Sequence, residues 1–286
     1  MALIRRDSPY PHWEWTDPAG GELLRVVPER GGLVTGWRSG GREVLYFDAE
    51  RFADPAQSVR GGIPVLFPIC GGLPGDALPL PQGTFSLPQH GFARDQSWQL
   101  EQLDDDSGVR LSLSDSCETL ALYPFAFGLS LELRPEPGAL AIRALIENRS
   151  TDSMPFSLGL HPYFNVSDLA AVRIEGLPER CFNHLTMADE LTANQLARLA
   201  EGVDLLVRPE DERGWSQPIQ LIDRGATITL RTSHPLDLVV LWSDPPRSMV
   251  CLEPWSGPRS ALISGDRRLQ LAPGANMALH TRYELS

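Results

Sequence analysis

Short apolar runs of period two dominate this 286-residue chain, and they restrict it to a fold built from β-strands. Leu129, Leu131 and Leu133 share one parity, and Leu140, Ile142, Ala144 and Ile146 share another. Ile228 and Leu230 flank the polar Thr229. In an extended strand, successive side chains leave opposite faces, so this spacing gives one hydrocarbon face and one polar face. Runs of this kind predict strands at 23–27, 43–47, 98–103, 109–113, 127–133, 140–147 and 154–160. Further runs predict strands at 172–175, 219–222, 226–231, 236–242, 249–252, 268–271 and 277–283. The 25 glycines and 25 prolines fall between the runs, where turns are needed, rather than in one linker. Helical spacing is present only over Asp189–Leu199, through Leu191, Leu196 and Leu199. Many short strands without βα alternation predict an all-β sandwich or barrel. No repeat, low-complexity tract or shift of composition marks a boundary, so residues 1–286 are read as one domain. The long connections at 51–92 and 179–217 exceed hairpin turns, and in a β-sandwich such segments carry the site.

Composition removes several classes of function. A net charge of −12 argues against a nucleic-acid partner, which would need a basic face. All 25 basic residues are arginine. Without lysine there is no Schiff base, hence no pyridoxal-phosphate or imine-aldolase chemistry, and no P-loop. Cys70, Cys117, Cys181 and Cys251 form no C-x-x-C pair, so neither a zinc ribbon nor a redox motif is expected. The first residues run into polar sequence without a signal-peptide core, and no apolar stretch reaches membrane-spanning length. The expectation is a cytoplasmic protein with reduced thiols and no membrane partner.

Four segments carry residues suited to chemistry. His161 lies in Leu160-His161-Pro162-Tyr163-Phe164, and Glu253 lies in Leu252-Glu253-Pro254-Trp255. Each places an ionisable group among apolar residues beside a proline, where burial without a partner is costly. A histidine and a carboxylate at one pocket make a general acid and a general base. Two structural residues, a satisfied core histidine and a buried carboxylate, are the alternative. The third segment, Arg60-Gly61-Gly62-Ile63-Pro64, places an arginine beside glycines that permit close backbone approach. The fourth, His90-Gly91-Phe92-Ala93-Arg94, puts a histidine four residues from an arginine, a pairing suited to an anionic or hydroxyl-rich ligand. Trp242, Trp255, Tyr163 and Phe164 lie near these groups in sequence, and aromatic faces suit the apolar faces of a sugar ring. His12, His184, His234 and His280 stand in no comparable context and are read as surface or core residues. No histidine pair has metal-ligand spacing, and no G-x-S-x-G elbow is present.

Taken together, and in this order, the four segments resemble the aldose 1-epimerase (mutarotase) family, and more closely its hexose-6-phosphate mutarotase branch. The resemblance implies a large antiparallel β-sandwich of the galactose mutarotase-like supersandwich type. It implies interconversion of α and β anomers of an aldose through the open-chain aldehyde, without cofactor or metal. By this resemblance Glu253 is the general base, His161 the general acid, and His90 a substrate-binding or transition-state-stabilising residue. Arg60 and Arg94 resemble the phosphate-binding arginines of the branch, and Asp204 resembles its sugar-hydroxyl carboxylate. The expected partner is a small sugar or sugar phosphate, and the expected assembly a monomer or weak homodimer. Other readings remain open at this point. They are an epimerase of free glucose or galactose, a non-catalytic sugar-binding module, a glycoside hydrolase using Asp204 with Glu253, and a purely structural sandwich.

Overall fold

Strand pairing follows the alternation of the sequence in the computed structural model of the chain, which describes residues 3–210 and 214–286. Val109, Leu111 and Leu113 stand opposite Leu133, Leu131 and Leu129. These stand opposite Ile142, Ala144 and Ile146, which in turn face Thr281, Leu279 and Met277. One face of four strands is therefore apolar except at Thr281, and full burial of a leucine or isoleucine side chain contributes about 1.5–3 kcal/mol. The other face carries Arg110, Glu132, Arg143 and His280 abreast, with Arg110 and Glu132 paired at 2.9 Å.

These strands belong to an eight-stranded sheet. Its order in space is Arg173–Glu175, Ile219–Asp223, Ala226–Thr232, Asn276–Leu285, Ala139–Asn148, Phe127–Glu136, Val109–Ser114, Gln99–Gln102. A second eight-stranded sheet runs Ala188–Leu191, Arg180–Asn183, Val203–Val207, Leu238–Ser243, Met249–Trp255, Gly159–Leu160, Val65–Leu66, and Tyr163–Asn165 also pairs with Met249–Trp255. The two sheets pack face to face. Tyr283 of the first sheet donates to the Leu252 carbonyl of the second at 3.3 Å, and its ring lies 5.1 Å from that of Phe164. Five strands between Ile4–Arg6 and Arg42–Glu43 form a smaller sheet in chain order. All pairings between these strands are antiparallel, so the chain is an all-β sandwich as expected.

Five segments differ from the expectation. The stretch 189–199 is not one helix: the strand Ala188–Leu191 leads into a short helix, Thr192–Leu196, and a 3-10 turn, Leu199–Glu201. Leu191 pairs across to Arg180 and is exposed while Leu199 is buried, so the leucines form no common stripe. Pairing of the run 43–47 within a sheet ends at Glu43, and Leu45 and Phe47 then bridge singly to Phe164 and Gly61. The run 154–160 splits, because Ser157 and Leu158 send their N–H groups to the Pro68 carbonyl and the Ser256 hydroxyl. Leu33–Ser39 and Val203–Val207 are strands without an alternation signal; most of their side chains on both faces are buried.

The long connections are more structured than loops. The first holds the strand Val65–Leu66 and a hairpin, Ala77–Leu80 with Gly83–Ser86. The second holds three strands of the second sheet, and its positions 211–213 lie outside the described residues, as do positions 1 and 2. The four cysteines are unpaired thiols. Among the described residues no helix is long and apolar enough to cross a membrane.

Candidate active site

Register in the second large sheet places the side chains of the site. Asp204, Trp242, Cys251 and Tyr163 stand abreast on four strands. The neighbouring row of the same face carries Leu206, Val240 and Glu253, and the next carries Leu238 and Trp255. Along Met249–Trp255, Val250 and Leu252 enter the core between the sheets, so Cys251, Glu253 and Trp255 leave on the opposite face. The segment after Arg60 extends the sheet at its edge, where Leu66 and Val65 pair with Gly159 and Leu160. His161 N–H donates to the Pro64 carbonyl at 3.0 Å, and Tyr163 N–H to the Gly62 carbonyl at 2.9 Å. All seven residues of the strand Met249–Trp255 are buried.

A cavity of about 310 Å³ opens on this face. Arg60, His90, Arg94, His161, Asp204 and Glu253 all line it, together with Tyr163, Trp242, Trp255 and Arg259. His161 Nε2 lies 3.3 Å from Glu253 Oε1, and Trp255 Nε1–H donates to Glu253 Oε2 at 3.1 Å. The Glu253 side chain is 1% exposed and that of His161 13%. Burial pushes the Glu253 carboxyl well above the usual carboxylate range, and the Asp204 charge adds to this; Trp255 and Arg259 oppose it. Burial also pushes the His161 imidazole down to about 3, an effect the Arg94 and Arg60 charges reinforce and that of Asp204 opposes. Tyr163 stacks on the His161 ring at 4.7 Å, and Trp242 meets it edge-on at 5.7 Å.

His90 is set by its backbone. Both His90 and Gly91 have left-handed φ, 69° and 70°. A side chain at position 91 would put Cβ 2.2 Å from the Phe67 carbonyl oxygen, so this turn requires glycine there. His90 Nδ1 accepts from Gly71 N–H at 3.1 Å. Burial, then the His161 and Arg94 charges, hold its pKa well below the ordinary value. The ring is therefore neutral, with its proton on Nε2 as a donor.

The two arginines are about one-third exposed. Arg60 lies 5.8 Å over the Trp242 ring, with Nε 3.7 Å from Asp244. Arg94 donates to the Gln89 carbonyl at 2.9 Å and lies 3.8 Å from Asp95. Both keep donors free for an anion, since a guanidinium has five N–H groups.

Asp204 is held at both oxygens, by His184 Nδ1 at 2.6 Å and by Arg259 Nη2 at 2.8 Å. Neither partner stands out in the sequence. His184 is buried against Asp204 rather than idle. Arg259 follows Glu253 by six residues, after Ser256-Gly257-Pro258, and that turn was the one available sign that the chain comes back to the pocket. His161, Cys251 and Glu253 bring one ligand atom each within 4.8 Å of one another. Burial holds the Cys251 thiol well above its ordinary pKa.

Known proteins share this framework. The family profile described as aldose 1-epimerase matches residues 14–284. A protein of Cenchrus ciliaris provisionally named glucose-6-phosphate 1-epimerase is 34% identical over 159 residues, 51% of this chain and 45% of that relative. The match thus spans less than half the relative's length. The crystal structure of Slr1438 from Synechocystis sp. PCC 6803 superposes with a TM-score of 0.90 at 35% identity, covering 100% of this chain and 99% of that one. A galactose mutarotase related enzyme from Lactobacillus acidophilus superposes with a TM-score of 0.79 at 20% identity, covering 96% and 97% of the two chains, and shares the fold. With the profile running over nearly every strand of the sandwich, the chain belongs to the aldose 1-epimerase family.

Proposed function

We propose that the chain is a mutarotase that interconverts the α and β anomers of an aldose, with a hexose 6-phosphate as its substrate. The observation that carries this reading is the His161–Glu253 contact of 3.3 Å at the floor of a cavity walled by Trp242 and Trp255. A cavity of about 310 Å³ has room for one sugar ring, and indole faces suit its C–H surface.

In the reaction, the C1 hydroxyl gives its proton to the Glu253 carboxylate. The C1–O5 bond breaks, its electron pair goes to O5, and His161 protonates O5 as C1=O forms. Rotation about C1–C2 presents the other carbonyl face. Closure reverses both transfers: Glu253 returns a proton to the carbonyl oxygen and His161 takes the one on O5. The pair begins and ends with one proton. The Nε2–H of neutral His90 supplies a donor for oxygen as charge develops on it. Arg60 and Arg94 hold the 6-phosphate, where bidentate guanidinium pairing fixes both charge and orientation. The similarity to relatives named for glucose 6-phosphate supports that substrate class.

The test is NMR exchange between anomers on purified protein, with glucose 6-phosphate, free glucose and free galactose. Acceleration of the phosphate ester alone is expected. Acceleration of the free sugars instead would assign a free-aldose epimerase, and acceleration of none would remove the catalytic reading in favour of a binding module.

A further inference from the structure

We propose that Arg259 determines substrate specificity, by forming with Asp204 a donor–acceptor pair that recognises two adjacent hydroxyl groups of the sugar; this rests on the sugar-binding reading above. Arg259 lines the cavity, and its side chain is 32% exposed. Its Nη2 lies 2.8 Å from Asp204 Oδ2, so an anionic acceptor and a cationic donor sit side by side on the wall. A carboxylate has about four lone-pair sites, and the two contacts to His184 and Arg259 leave sites for a hydroxyl donor. Arg259 likewise has donors to spare, and its Nε is buried without a protein partner among the described residues. One hydroxyl can then donate to Asp204 while its neighbour accepts from Arg259.

The chemistry here is that of a neutral diol rather than an anion. A phosphate at Arg259 would face the Asp204 carboxylate 2.8 Å from the guanidinium, closer than Asp244 stands to Arg60 at 3.7 Å or Asp95 to Arg94 at 3.8 Å. The Arg60 and Arg94 charges bear on Tyr163 and His161, that of Arg259 bears on Glu253, and His90 feels both Arg94 and Arg259. In this reading Arg60 and Arg94 serve the anionic substituent, and Arg259, joined to Asp204, serves the ring hydroxyls.

Gly71 makes the arrangement rigid. It has φ 69°, and a Cβ there would lie 2.2 Å from Arg259 Cγ. The same residue accepts His90 N–H at its carbonyl, 2.7 Å, and donates its own N–H to His90 Nδ1, 3.1 Å. The Arg259 stem lies against the residue that orients His90. A guanidinium fork held by its stem loses little entropy on meeting a ligand.

Calorimetric binding tests this, because it reads sugar recognition whether or not turnover occurs. Wild type, R259M and R259K, each first checked for an unchanged melting temperature, are titrated with glucose 6-phosphate and with its deoxy analogues, each lacking one ring hydroxyl. R259M is expected to weaken the parent sugar on the order of tenfold or more, since a charge-assisted hydrogen bond is lost. For one deoxy analogue, wild type and R259M should bind within about twofold of each other, because the lost partner was already missing. R259K, with its charge kept but no fork, should recover only part of the loss. Equal weakening of the parent and every analogue would overturn the proposal in favour of a structural role. So would an R259M that binds the parent as wild type does. Sugar binding without anomer exchange would remove the catalytic reading and leave the Arg259 comparison decisive; no binding of any sugar by wild type would overturn both.

Discussion

At 3.3 Å, His161 and Glu253 face each other, and burial drives both towards neutrality. With its pKa pushed down to about 3, His161 is uncharged near neutral pH, and burial favours the protonated form of Glu253. Opening of the sugar ring needs the other arrangement, imidazolium with carboxylate, and both are used in one cycle. The Arg259 charge favours the ionised Glu253, and the Asp204 charge favours the protonated His161. His161 should show no titration between about pH 5 and 8 in the 15N shifts of its ring, whereas an inflection near 6.5 would mean an ordinary solvated imidazole. E253Q and H161N should each lower kcat by about 10²–10⁴-fold while the circular dichroism spectrum stays native. Wild-type turnover in both would remove the acid–base assignment. R94A should raise KM for a hexose 6-phosphate far more than for the free hexose, and equal increases would remove its phosphate role. At this scale the sequence was informative where an ionisable residue stood in an apolar segment, as at His161 and Glu253. It was silent on His184, whose partner Asp204 is twenty residues away and reaches it only through strand pairing.

Strands turn those residues into a surface. Met249–Trp255 has an apolar face for the core and sends Cys251, Glu253 and Trp255 to the cavity, because side chains alternate. A slip of one residue would send Glu253 into the core and Leu252 into the cavity. Alternation is local, so the strands with one polar face were legible, whereas Leu33–Ser39, buried on both faces, carried no period. The expected helix over 189–199, of which only Thr192–Leu196 is α-helical, has the same origin. Three leucines near helical spacing mimic a stripe, but cross-strand pairing of Arg180 with Leu191 claims the first of them. The turn at His90-Gly91 can be tested directly. Alanine at position 91 would meet the Phe67 carbonyl, at a φ of 70° that disfavours a side chain. G91A should therefore lose more than about 1 kcal/mol in urea unfolding. Turnover should also fall, since His90 is displaced with the turn. An unchanged midpoint would show that the turn relaxes freely.

The site also leaves a mark on the stability of the whole molecule. The folded His161–Glu253 pair keeps one proton from about pH 3 up to the raised pKa of Glu253. Unfolded, the same two groups titrate near their ordinary values of 6.5 and 4.5. Below about pH 4.5 the unfolded chain binds the extra proton, so stability falls as pH falls. Glu253 acts in the opposite sense to His161: as pH rises above its ordinary 4.5 the unfolded carboxyl loses a proton that the folded one keeps, so this group's contribution falls until its raised pKa is passed. Each group changes stability by up to about 1.4 kcal/mol per pH unit between its unfolded and folded pKa. Relative to wild type, the double variant H161N/E253Q should gain stability as pH falls below about 4.5 in urea melts across pH. A pH-independent difference would mean that the pair titrates alike in both states. The sequence by itself determined the fold class, because period-two hydrocarbon spacing is a local property that only half-buried strands can satisfy. It also determined which ionisable residues stand in costly surroundings. Only the tertiary structure decided that Arg60, His90, Arg94, His161, Asp204 and Glu253 line one cavity, and that Arg259 joins them. Convergence of that kind is set by register between strands far apart in the chain and by loops folded over them. Their pairing energies come from long-range contacts that no local pattern of residues encodes.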